Sequence, residues 1–217
     1  MELLGIEETK VIYLTQIHRA AGQPYGPDMV AAFIQRYQFV QYPSPADFLK
    51  PAEAYVFSMG KFNNVGIQDL RLYNDGIIVS SKSNTKIIDE FVSDLFEWLE
   101  KDWGVVRTSL PKPEHHYESR LIVKSDSDLT RLIEPKSEIV SALNGAWRQG
   151  PPSAARFAPA GFIADCQLAK PTRRKPIHFS LERRVGFEPS ENVFYSLSPL
   201  GTDDHLALLE KLERLAH

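Results

Sequence analysis

The chain of 217 residues has one cysteine, Cys166, so no disulfide can form within it. It has no apolar run near the ~18 residues that a membrane-spanning helix needs. The stretch Met29-Val30-Ala31-Ala32-Phe33-Ile34 is short and amphipathic. Residues Met1 to Glu8 are acidic and lack the basic-then-apolar layout of a signal peptide. No glycine-rich phosphate loop occurs: Gly60 and Gly66 stand alone, and Lys61 is not followed by Ser or Thr. Cys-x-x-Cys, His-x-x-x-His, His-Glu-x-x-His and Gly-x-Ser-x-Gly are all missing. These gaps rule out a disulfide scaffold and leave zinc, nucleotide and nucleophile-elbow chemistry without a sequence signature. The expectation is a soluble cytoplasmic protein with no cofactor, no metal and no membrane partner.

What is present suffices to fold. Apolar residues make up 43% and net charge is only −3, so the chain can fill a core and does not have the composition of a disordered one.

The clearest local signal is a hairpin. Leu70 and Leu72 alternate with Asp69 and Arg71, then Asn74-Asp75-Gly76 leads into Ile77-Ile78-Val79. A turn with glycine between two β-rich runs predicts antiparallel strands, with a two-residue or a bulged three-residue loop. A helix over 85–103 follows. Ser83, Asn84 and Thr85 can cap it, and Gly104 can stop it. Its apolar residues, Ile87 through Trp103, fill half of the cylinder, wider than one sheet contact requires. The extra width predicts a second layer from the same chain or from a partner.

Further elements are weaker. Residues 10–17 alternate as a strand, and Pro27 opens a helix through Val30, Phe33, Ile34 and Tyr37. Residues 55–59 and 120–124 read as strands, and 105–118 as a loop or linker. Asp128 caps a helical turn, and Ile139, Val140, Leu143 and Trp147 continue on one face beyond Pro135. Strands are expected at 160–169, 176–185 and 192–198. A last helix is capped by Thr202, with Asp203 and Asp204 in its first turn, where the helix dipole favours them.

The fold class is therefore α+β, mainly antiparallel, with amphipathic helices packed on one face. Both halves give strand, helix, three strands, helix. Gly76 to Ser81 followed by Thr85 resembles Asn192 to Leu197 followed by Thr202, with one residue of slip. Chance or a tandem βαβββα duplication accounts for this. The units would be 1–110 and 111–217, as two domains or one compact body.

Three sites invite chemistry. Cys166 and His178 suggest a nucleophile and base. If Ala169 faces Pro176, however, Cys166 faces Phe179 in the core, and His178 turns outward with Asp165, Gln167, Ser180 and Glu182. That wet face is the candidate site of a hydrolase. Glu114-His115-His116-Tyr117-Glu118 offers metal ligands, but adjacent histidines point apart. The third feature is charge. Residues 170–184 carry Lys170, Arg173, Arg174, Lys175, Arg183 and Arg184 against Glu182, while helix 85–103 carries six acids against Lys86 and Lys101. Arg173, Arg174, Lys175, Arg183 and Arg184 are thus the candidate binding residues. They would grip nucleic-acid phosphates, dock on the acidic helix of a second copy, or simply keep a turn solvated. The expected function is a non-enzymatic intracellular interaction or assembly module that self-associates. A nucleic-acid binder and a hydrolase are the alternatives.

Overall fold

The computed structural model describes residues 1–19, 25–49, 54–108, 114–133, 157–167 and 174–217, with 140, 142, 144 and 146 between them. The fold is α+β and mainly antiparallel. Its axis is the pairing of β1 (Glu2–Leu14) with β7 (Glu114–Lys124), both longer than the sequence pattern suggested. Residues 105–118, read above as a linker, instead hold β6 (Val105–Thr108) and the start of β7. β6 pairs with β2 (Gln16–Arg19) in a separate two-stranded ribbon. The His115-His116 pair is thereby on a strand.

Around β1 and β7 the strands are added in mirrored order. On one side of β1 lie β5 (Gly76–Ser81), β4 (Val65–Tyr73) and β3 (Tyr55–Phe62). On the other side of β7 lie β10 (Val193–Ser198), β9 (Phe179–Arg183) and β8 (Gly161–Ala164). The ladders fix the correspondence residue by residue. Thr9 pairs with Ser81 as Ser119 pairs with Ser198, and Thr9 and Ser119 pair with each other. Leu70 stands between Val79 and Phe57, and Leu181 stands likewise between Ser196 and Phe162. Gly76 therefore corresponds to Val193, and Ser81 to Ser198; the one-residue slip in the sequence comparison disappears. On this axis Glu8-Thr9-Lys10-Val11-Ile12 falls on Glu118-Ser119-Arg120-Leu121-Ile122.

One sheet face is covered by helices. α2 (Thr85–Trp103) is capped by Asn84, whose side chain accepts from the Lys86 N–H, and stops at left-handed Gly104. α3 (Thr202–Ala216) has Gly201 at its cap position, not Thr202 as the sequence suggested. The buried residues Thr202, His205, Leu209, Glu213 and Ala216 correspond to Thr85, Ile88, Val92, Phe96 and Leu99, all buried in α2. A β-branched hydroxyl and then an i, i+3, i+7 stripe thus serve both helices.

The wide stripe of α2 meets α1 (Pro27–Tyr37), a second layer of the same chain. Phe33 meets Trp98 edge-on at 5.1 Å, and Tyr37 meets Phe91 at 4.9 Å. Each such ring removed from water contributes about 1.5–3 kcal/mol. The Tyr37 hydroxyl donates to Asp94 Oδ2 at 2.7 Å, and the Arg36 guanidinium binds both Asp94 oxygens. The second core is more polar. Glu213 binds the Met1 ammonium at 2.6 Å and accepts from the Asp126 N–H and the Ser125 hydroxyl.

Among the described residues the loops differ most. The β3–β4 turn is Asn63-Asn64, both left-handed, the two-residue hairpin geometry that suits twisted strands. Asn74-Asp75 closes β4–β5 just as tightly, so the two-residue option holds. In the second half the described connection 184–192, the counterpart of Asn74-Asp75, is longer.

Candidate binding grooves

Strand ends bring two cavities to the same end of each half. In the first half, β3, β4 and β5 leave a groove of about 390 Å³ lined by Met59, Lys61, Val65, Gly66, Gln68 and Lys82. In the second half, a cavity of about 260 Å³ is lined by Cys166, Pro176, Ile177 and Pro199, with His115, His116, Glu118 and Arg174. Extending the ladder correspondence past the strand ends, Lys61, Val65, Gly66 and Lys82 fall on Cys166, Pro176, Ile177 and Pro199. The two cavities thus share four corresponding positions in the two halves, while the second also lies against His115 to Glu118 of β7, whose counterparts on β1 do not line the first.

Their chemistry differs. The first groove has an apolar floor between two lysines. Among the described residues no acid lines it, and neither Lys61 nor Lys82 makes an ion pair. Met59, largely exposed, holds a left-handed backbone (φ 58) inside a strand. A side chain in that region costs roughly 1–2 kcal/mol. Opposite it, Gln68 is the bulged residue of β4, inserted where the β4–β5 register shifts between Ile67 and Asp69. The Gln68 amide oxygen is shut off from water with no hydrogen-bond partner. Behind the groove a Cβ on Gly60 would overlap the ring of Phe39, itself packed between Tyr37 and Phe57. The second cavity is crossed by Arg174, which binds Glu118 at 2.9 Å. Burial pushes the His115 imidazole below its ordinary pKa.

Cys166 does not face the core as the sequence suggested. β8 ends at Ala164, which pairs with Phe179, and Phe162 pairs with Leu181. The register lies two residues from the one expected, so the same parity faces the core, and Phe162 and Phe179 meet at 5.6 Å. Cys166 lies beyond the strand, half-buried in the second cavity and away from the core. His178 is exposed and does not line that cavity. Ser180, placed above on a wet face, is 2% exposed, and its carbonyl accepts from the Ser196 hydroxyl. Asp165 is paired with Lys175 at 2.6 Å. Asp165, His178 and Ser180 therefore line neither of these two cavities. Among the described residues no three His, Cys, Asp or Glu side chains gather as a metal site.

The basic cluster is dispersed. Arg174 binds Glu118, Lys175 binds Asp165, Arg183 binds Asp128 and Arg184 binds Glu7, all within 2.9 Å. Arg183 also lies over the Phe194 ring, and Arg184 over Tyr195, on opposite faces of the sheet. Arg173 falls outside the described residues. On the sheet face opposite the helices Glu8, Lys10, Glu118 and Arg120 alternate in sign about the β1–β7 axis, with Arg120 on Glu8 at 2.8 Å and Lys10 on Glu8 at 3.1 Å. Such partly exposed pairs contribute about 0–1 kcal/mol each. They largely cancel one another's field.

The paired grooves were missed in the sequence because each assembles from three separated strand ends. The only local signals were the bulky-then-small Met59-Gly60 and the flanking lysines. No protein-family model matches the chain, and no curated protein matches it in sequence. No described helix is long and apolar enough to cross a membrane.

Proposed function

We propose that the chain is a non-enzymatic interaction module built by tandem duplication of a βαβββα unit, with one partner-binding groove per unit. The carrying observation is that four corresponding positions line both cavities, in halves whose buried helix positions also correspond. A duplicated fold duplicates its sites, and the loops around them then diverge. Residues 1–110 and 111–217 are the two units, joined through β1 and β7 in one sheet. The lone thiol, with no second cysteine to pair with, suits a reducing, intracellular setting.

The grooves, and not α2, are the surfaces this reading offers to a partner. The stripe of α2 that suggested self-association is covered by α1. Among the described residues the engaged, dispersed cations give no single phosphate-binding stripe, which favours a protein partner over nucleic acid. Photo-crosslinking residues introduced in cells at Lys82 and at Ile177, with exposed Lys211 on α3 as control, test this. Protein adducts at the groove positions and none at the control are expected. An adduct of twice the chain mass identifies a second copy. No adduct at either groove overturns the reading.

A further inference from the structure

Building on the interaction-module reading, we infer that the first groove takes an acidic peptide segment of a partner protein, anchored by a bulky apolar side chain. Four observations converge on one place. The floor is apolar, through Met59 and Val65. Its cations, Lys61 and Lys82, have no carboxylate partner among the described residues, so the groove lacks the negative charge that the ligand would bring. Met59 keeps a costly left-handed backbone while its side chain stays in solvent, and methionine adapts its shape to apolar surfaces. The Gln68 amide oxygen lacks a donor. A rotation about its last side-chain torsion presents it to a peptide N–H.

The last point selects a peptide. An amphipathic carboxylate without N–H groups supplies charge and apolar bulk but no donor for Gln68. A peptide supplies all three. The second groove has diverged from this chemistry. Cys166 and Pro199 stand where Lys61 and Lys82 stand, and Arg174 there is bound to Glu118. Among the described residues, the first groove and not the second offers two unpaired cations around an apolar floor.

The test is selection of a displayed random-heptapeptide library on the intact chain, followed by titration of the enriched peptides by fluorescence anisotropy. Enriched peptides are expected to carry Asp or Glu beside Phe, Leu, Ile or Met. Lys61→Glu with Lys82→Glu is expected to weaken them at least tenfold while leaving the melting curve in place, since both lysines are exposed. Gln68→Leu, which keeps the apolar bulk and removes the acceptor, is expected to weaken them several-fold. Lys211→Ala, exposed on α3 and away from both grooves, is expected to leave their affinity unchanged. Enriched peptides without acids, or affinities indifferent to the double charge reversal, overturn the groove assignment while the interaction-module reading stands. Enrichment of no peptide at all, together with no crosslink at either groove, overturns both.

Discussion

Thr85 and Thr202 cap each other. The Thr85 N–H donates to Thr202 Oγ1, and the Thr202 N–H donates to Thr85 Oγ1, each at 3.0 Å and each buried. The two residues open α2 and α3 at corresponding places, so the exchange lies on the pseudo-two-fold axis that also passes between Thr9 and Ser119. Each hydroxyl satisfies one of the amide donors that every helix N-terminus leaves without an intrahelical partner. The contact joins the two halves of the chain from the helix side, as the β1–β7 ladder does within the sheet.

The reciprocity gives a symmetric prediction. Thr85→Val leaves the Thr202 N–H without its acceptor, and Thr202→Val does the same to Thr85. Each is expected to cost about 1–3 kcal/mol, the penalty for a buried unpaired donor. The two losses should agree within about 0.5 kcal/mol because their surroundings correspond. Urea titration of both variants measures this. One neutral variant beside one damaging variant would contradict the pseudo-symmetric reading.

Readability followed the range of the interactions. The 3.6-residue pattern of Ile88, Val92, Leu95 and Leu99 depends on the helix alone, so α2 was legible to its ends. The core face of β9 was also legible, because a register error of two residues preserves parity and Leu181 stays inward. Thr202 misled because its hydroxyl caps the other helix, a partner far away in sequence. Cys166 misled because β8 stops short of it, where the return segment through Pro176 lies outside the ladder. The Asn63-Asn64 turn was legible in principle, as asparagine tolerates the left-handed region better than other side chains. The grooves were not legible, for they depend on a backbone outlier at Met59 and on three strand ends meeting.

Phe33→Ala tests whether α1 completes the layer over α2. Phe33 is 1% exposed, stacked on Phe57 at 4.7 Å and edge-on to Trp98. Its loss is expected to cost about 3–5 kcal/mol and to uncover part of the α2 stripe. The melting temperature should fall, and dye binding to apolar surface should rise before global unfolding. An unchanged melting curve would mean that α1 contributes little to the core.

Met59→Gly separates stability from binding. Glycine adopts φ 58 without the steric cost that methionine bears there. The gain, reduced by the greater freedom of glycine in the unfolded chain, is expected to leave the variant about 0.5–1 kcal/mol more stable. The same change removes the adaptable side chain from the groove, so affinity for the enriched acidic peptides should fall several-fold. A variant that loses stability would show that the Met59 side chain packs in the free protein and is not held for a ligand.

His205 makes folding sensitive to mild acid. Its ring is fully buried, with Nδ1 at 2.7 Å from the Ser119 hydroxyl and Nε2 at 2.8 Å from the Ser196 hydroxyl. Burial lowers its pKa from about 6.5 to about 4, so the folded state keeps it neutral where the unfolded chain takes up a proton. Between those values the unfolded state binds more protons, and stability must rise with pH. The contribution is full above about pH 6.5, is lost as pH falls toward 4, and amounts to about 3 kcal/mol at one pKa unit per 1.36 kcal/mol. At the corresponding place in the first unit stands Ile88, which has no proton to exchange. His205→Ile should therefore flatten the stability profile between pH 4 and 6.5, whatever its cost at neutral pH. Urea midpoints collected across that window decide the matter: an equally steep profile in the variant would assign the acid sensitivity to other groups.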